Sequence, residues 1–195
     1  ANNINGKDYF IAGLSGYSYI YPDDYIQLEQ YTEKLNDYMI KSDLGIVNII
    51  GNSINNFYLY PYLNKPSVDA IFYYDFSNYS RYNGSIHFLN NKPIITARYN
   101  LWGGFENTKS LAHKINNLST DIYSENGYSL IPVHNWSNSV DSIIDCVNLL
   151  DSNVRVVAPD EFINLINENL NNNQLNDDVI HLSYPNPTRD KFIME

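Results

Sequence analysis

Four side chains stand where the sequence pattern would bring chemistry together. Asp75 follows the apolar run Ile71-Phe72-Tyr73-Tyr74, at the expected carboxyl end of a strand and among aromatics. Asp23 follows a Tyr-rich loop, and Glu106 follows the flexible stretch Trp102-Gly103-Gly104-Phe105, which has the make-up of a lid. His134 closes an apolar run and precedes Asn135-Trp136-Ser137. Paired carboxyls serve general acid–base and nucleophilic chemistry, of which glycoside hydrolysis is one case. One carboxyl protonates the leaving oxygen, and the other attacks or activates water. Their separation is about 5–5.5 Å in retaining enzymes and roughly 6.5–9.5 Å in inverting ones. Burial among aromatics would raise the pKa of Asp75 and suit it to the acid role. His134 would serve as a base, a metal ligand or a donor to a sugar hydroxyl.

Each of these residues also has a structural reading. Asp75 is equally a loop or helix-capping aspartate, Asp23 a solvated turn residue, Glu106 a surface charge and His134 a packed strand-end histidine. Asp24 reads as the N-cap of the following helix. Asp160 and Glu161 read as first-turn acids that meet the positive end of a helix. Tyr17, Tyr19 and Tyr21, with Trp102 and Trp136, lie in loops where flat rings stack on sugars. Tyr31 and Tyr38 fall on a helix face and read as core. Arg98 would bind a ligand carboxylate or orient an acid, or pair structurally with one of the many acids. Neither HxxxH nor HExxH occurs, and the single cysteine, Cys146, reads as a small buried hydrophobe. No metal or cofactor is expected.

Elements that must position these residues follow from periodicity. Strands are predicted over 9–13, 46–50, 68–74, 129–133 and 153–157, and a hairpin over 85–89 and 93–97 turns on Asn90-Asn91. Helices are predicted after Asp24, with Leu28, Tyr31, Leu35 and Tyr38 on one face, and over 109–118. A further stripe of Val140, Ile143, Ile144, Val147 and Leu150 is helical, as is the stretch after Pro159. Strands alternating with helices imply an α/β fold, a mostly parallel (β/α) barrel-like domain. About six or seven strands are legible, which leaves room for an incomplete barrel. In such sheets ligands gather at the carboxyl ends of the strands.

Composition excludes some partners. The 195 residues carry a net charge of −10, which disfavours nucleic acid and anionic membrane surfaces but is compatible with a neutral sugar. No apolar run approaches the roughly 20 residues of a membrane-spanning helix.

The loop Gly16-Tyr17-Ser18-Tyr19-Ile20-Tyr21-Pro22 resembles the motif that names the GxGYxYP family of putative glycoside hydrolases, with Ser18 in place of the second glycine. The likeness continues in order through Tyr74-Asp75 with Tyr82 and Gly84, and through Asn91-Lys92-Pro93 leading to Arg98-Tyr99-Asn100-Leu101-Trp102. It runs on through Tyr128 to Ser137 and through Val156 to Phe162. The resemblance implies a hydrolase domain over residues 1–170 acting on a carbohydrate. The alternative is a non-catalytic carbohydrate-binding or surface scaffold domain. A metal-dependent carbohydrate deacetylase on a similar barrel is disfavoured. An Asn-rich linker is expected over 171–181. Tyr184-Pro185-Asn186-Pro187-Thr188-Arg189-Asp190-Lys191-Phe192 resembles the opening of the C-terminal sorting domain of type IX secretion in Bacteroidetes, here over 182–195. That resemblance implies the secretion machinery as a partner and a secreted or cell-surface location.

Overall fold

The structure is a computed structural model that describes residues 9–171. The expected linker lies almost wholly outside the described residues, and the expected sorting segment entirely so.

Five strands form one sheet in the order β1-β2-β3-β5-β4. They are β1 (Ala12–Leu14), β2 (Ile46–Gly51), β3 (Ala70–Asp75), β4 (Ile86–Leu89) and β5 (Lys92–Thr96). The first four in that order run parallel, and β4 is the antiparallel edge. The helices are α1 (Leu28–Ser42), α2 (Asn56–Leu63), α3 (Thr108–Asn116), α4 (Val140–Asn148) and α5 (Pro159–Ile166).

The central strands are apolar almost throughout because both their faces are covered. Val47, Ile49, Ile71 and Tyr73 pack with Leu35, Met39, Leu59 and Tyr62 of α1 and α2. Ile46, Ala70, Phe72 and Ile95 pack on the other face with Ile163 and Ile166 of α5. A separate cluster joins Leu101 to Leu111 and Ile115 of α3 and Cys146 of α4. The β4–β5 hairpin turns on Asn90 and Asn91, both at positive φ (54° and 58°), as a two-residue turn matched to strand twist requires.

Several expectations need correction. The sheet is open, so the described residues do not close a barrel. The segment predicted as a strand at 129–133 makes only two isolated parallel bridges, Ala97–Leu130 and Leu101–Val133. Pro132 in its middle has no N–H to give to a ladder. With no continuous strand beside it, the stretch 153–157 forms no strand. Asp24 does not cap α1: it sits in the short turn Pro22–Asp24, and the helix begins at Leu28 without a side-chain cap. Tyr38 is 42% exposed rather than core, because the buried stripe of α1 runs Leu28, Tyr31, Leu35, Met39 and leaves it on the flank. Helix α2 is absent from the sequence reading. It is short, rich in aromatics and carries Pro61 inside, but Asn55 caps it by accepting from the Phe57 amide at 2.9 Å.

Candidate functional site

The carboxyl ends of β2 and β3 lie side by side, with Gly51 paired in register to Asp75. The loop after β1 folds onto them: the Asn52 amide donates to Asp23 Oδ2 at 3.1 Å. Gly51 is the contact point. A Cβ there would stand 2.8 Å from the Tyr73 hydroxyl and 3.5 Å from Asp23 Oδ1, so only glycine admits this close approach. Tyr73 Oη and Asp23 Oδ1 are both buried and make no hydrogen bond. Two of the four expected catalytic residues, Asp23 and Asp75, therefore each lie next to the same glycine.

Asp75 is fully buried. Its Oδ1 accepts from the Ser77 amide (2.9 Å), the Ser77 hydroxyl (2.6 Å) and the Asn78 amide (3.1 Å), and Oδ2 accepts from Arg81 Nη1 at 3.3 Å. Burial opposes its charge. The Ser77 hydroxyl, the two amides and Arg81 outweigh burial and hold the carboxyl below its ordinary value. The sequence-based expectation of a raised pKa is thus overturned, because polar donors rather than aromatics surround the carboxylate oxygens. Such a group fits a base or nucleophile, not a proton donor at neutral pH.

Aromatic rings border these carboxylates in two chains. Tyr19 and Tyr21 meet edge to face with their hydroxyls 3.1 Å apart, and Tyr21 meets Phe76, the residue after Asp75. The bond to Tyr19 pushes the Tyr21 phenol up to about 12. The second chain starts at Tyr74, the residue before Asp75. Tyr74 stacks on Tyr79, Tyr79 meets Trp102, and Trp102 stacks flat on His134 at 3.9 Å and 5°. Trp136, 90% exposed, meets His134 edge-on. The Ser137 hydroxyl lies 2.8 Å from His134 Nδ1 and accepts from the Gly103 amide at 2.9 Å. This fixes the imidazole against the Trp102 loop through Nδ1.

Three expected site residues go elsewhere. Tyr17 stacks on Tyr31 at 4.4 Å, under Lys34 on the α1 face. Glu106 accepts from Ser110 and Lys114 of α3; burial opposes its charge, and those two partners overcome it and hold it below its ordinary value. Arg98 is buried and donates to the carbonyls of Tyr128 (2.9 Å), Glu125 (2.9 Å) and Gly84 (3.3 Å), so it ties loops rather than binding a ligand. Its structural partners are carbonyls, not the acid that sequence suggested. Ser18 needs no glycine: it is not among the positive-φ residues, whereas Gly16 is, at 121°.

Tyr73, Phe76, Tyr79, Arg81 and Ser137 join the site without having been expected there. Phe76, Tyr79 and Arg81 directly follow a strand-end aspartate, a position that marks ligand loops in parallel sheets. Tyr73 reads simply as strand, and Ser137 as the third residue after a histidine.

A cavity of about 280 Å³ lies at the opposite end of the sheet, lined by Ile46, Asp69, Lys92, Asp160, Ile163 and neighbours. It contains none of the aromatic or carboxylate groups above. Among the described residues no three His, Cys, Asp or Glu side chains group as metal ligands, and no helix is long and apolar enough to cross a membrane.

The chain is similar to a crystal structure from Bacteroides thetaiotaomicron described as a "putative hydrolase", at 38% identity and a TM-score of 0.81. The match covers 87% of this chain and 35% of that one, so the chain spans about a third of that protein's length. No curated protein matches it. Over residues 1–167 the sequence fits the model described as "GxGYxYP putative glycoside hydrolase C-terminal domain", and the chain belongs to that family.

Proposed function

We propose that this domain hydrolyses glycosidic bonds outside the cell, with Asp23 and Asp75 as the carboxyl pair. The observation that carries the reading is that both lie next to Gly51, Asp75 paired to it across the β2–β3 ladder and Asp23 reaching its α-carbon, with two chains of aromatic rings bordering the carboxyl edge of the parallel sheet. Asp75, held ionised, acts as base or nucleophile. Asp23, with one oxygen bonded to the Asn52 amide and the other without a partner, is the second carboxyl of the pair. Trp102, Trp136, Tyr19 and Tyr21 stack on the sugar rings, and His134 meets a hydroxyl. The family's description and the hydrolase label of the solved relative agree with this chemistry. Export rests on the resemblance of Tyr184–Phe192 to a type IX sorting sequence of Bacteroidetes, and detection of the protein in culture medium tests it.

A second reading, a glycan-binding domain without turnover, is favoured by one observation. Asp75 has no exposed surface, and its oxygens are already occupied by four donors. A glycan array followed by product analysis separates the two. Released sugar that Asp23→Asn or Asp75→Asn abolishes, in variants that still melt cooperatively and bind, supports the enzyme. Binding without release supports the second reading. No binding to any glycan refutes both.

A further inference from the structure

Helix α4 carries its apolar stripe on the outside. Val140, Ile144 and Val147 are 70%, 50% and 41% exposed, and Ile143 beside them is also exposed. These are positions i, i+3, i+4 and i+7, the spacing by which a helix buries one face. Helix α1 shows the contrast, since Leu28, Tyr31, Leu35 and Met39 are all buried at comparable spacing. The side of α4 that is packed is a different one: Cys146 is buried against Leu111, Ala112 and Ile115 of α3. The helix is well specified in place, with reciprocal bonds between Ser139 and Ser142 closing its first turn. Single exposed apolar residues are ordinary, but a continuous stripe on an anchored helix marks a surface that something covers.

The segment after β5 finds only two bridging partners, Leu130 and Val133, and the valine-rich stretch 153–157 joins no ladder, leaving Val156 exposed. Two observations bear on what the occupant is. The solved relative devotes just 35% of its chain to the region that matches 87% of this one. The family model is that of a C-terminal domain, so its members carry chain before it.

We infer that the Val140–Ile144–Val147 face of α4 is the docking surface for a preceding domain of the same polypeptide. This does not depend on what the aromatic site binds.

The test is thiol labelling in the full polypeptide as purified from its source and in the 195-residue chain. Cys146 is replaced by alanine, and a single cysteine is introduced by Val140→Cys. Ile40→Cys on α1 is the reference site. Position 140 should react with maleimide on the order of 10-fold more slowly in the full polypeptide than in the shorter chain, as expected for a site reached through local opening. Position 40 should react alike in both. Equal rates at 140 overturn the inference, as does a natural polypeptide of the same mass as this chain. Protection of 140 in the shorter chain, accompanied by a dimer in sedimentation, also overturns it by giving the face to a second copy. As a check independent of the thiol, Ile144→Lys should lower the Tm of the full polypeptide and leave that of the shorter chain unchanged, because the charge is buried in the first alone. Equal Tm changes in the two would count against docking.

Discussion

Arg81 reaches back six residues to place Nη1 3.3 Å from Oδ2 of Asp75, and the two differ sharply in burial: the aspartate is enclosed while the arginine is more than half exposed. The pair is therefore a buried anion tethered to a solvated cation. The anion is held mainly by Ser77 and Asn78 on its other oxygen. Removing Arg81 should be tolerated better than removing the charge of Asp75.

The pH dependence follows from the sign of the shift. Asp75 has a folded-state pKa below its ordinary value, so it contributes stability that is present above the unfolded pKa of about 3.9 and is lost as pH falls through the lower folded value. Glu106 is shifted the same way and contributes in the same sense. Asp75→Asn should cost about 2–4 kcal/mol at neutral pH and flatten, without abolishing, the loss of stability below pH ~4. Urea unfolding of both proteins from pH 7 to pH 2.5 measures this. Parallel curves would mean that Asp75 carries no special interaction in the folded state.

Gly84 and Arg98 form a structural lock. Gly84 sits at φ 74°, and a Cβ there would come within 2.5 Å of Arg98 Nε. Gly84→Ala therefore combines backbone strain with a collision against a guanidinium fixed by three carbonyls, and should cost about 2–4 kcal/mol. Arg98→Lys should cost about 2–3 kcal/mol, because an ammonium cannot reproduce the fork. Denaturant midpoints report both. Neither change should alter glycan affinity in whatever fraction remains folded.

Much of this arrangement was legible in the sequence where the signal is local. The apolar runs of β2 and β3 and the Asn90-Asn91 turn are set by neighbours in the chain. The turn that wraps Asp75 is also set locally, since Asp-x-Ser-Asn supplies its own donors, but a reading that weighed only the aromatics before the aspartate passes over them. Long-range consequences were not legible. Arg98 looked like a ligand-binding cation because its carbonyl partners lie up to 30 residues away. Tyr17 looked like its loop neighbours Tyr19 and Tyr21, but a helix begun at Leu28 draws it onto Tyr31. The stretch 153–157 has strand composition and no strand to pair with. Helix α2 lacked a polar face to give it a period, since Leu59, Tyr62 and Leu63 are buried while Phe57 and Tyr60 are exposed.

Tyr73 tests how tightly the ends of β2 and β3 are closed. Its hydroxyl is buried without a partner beside the equally unpartnered Asp23 Oδ1. A phenol stripped of water and left unbonded is a cost that phenylalanine does not carry. Tyr73→Phe should then leave stability unchanged or raise it by up to about 1 kcal/mol. A loss of more than that would show that the hydroxyl is bonded in solution, to Asp23 or through a shared water. In that case Asp23→Asn and Tyr73→Phe should fail to add in a double-mutant cycle.

Trp136 and Trp102 separate recognition from folding. Trp136 is 90% exposed and touches His134 by its edge, so Trp136→Ala should change stability by no more than ~0.5 kcal/mol. Trp102 is part of the packing: it stacks on His134, meets Tyr79 and Phe105, and belongs to the loop whose Gly103 amide reaches Ser137. Trp102→Ala should lower the melting temperature as well as binding. On the best glycan from the array, Trp136→Ala should weaken affinity by about 3–10-fold, the equivalent of one lost ring contact of ~0.5–1.5 kcal/mol. Calorimetric titration of the two variants decides it. Unchanged affinity in Trp136→Ala would confine sugar contact to the Tyr19–Tyr21–Phe76 side. Unchanged affinity in both, with the fold intact, would remove the second aromatic chain from the site.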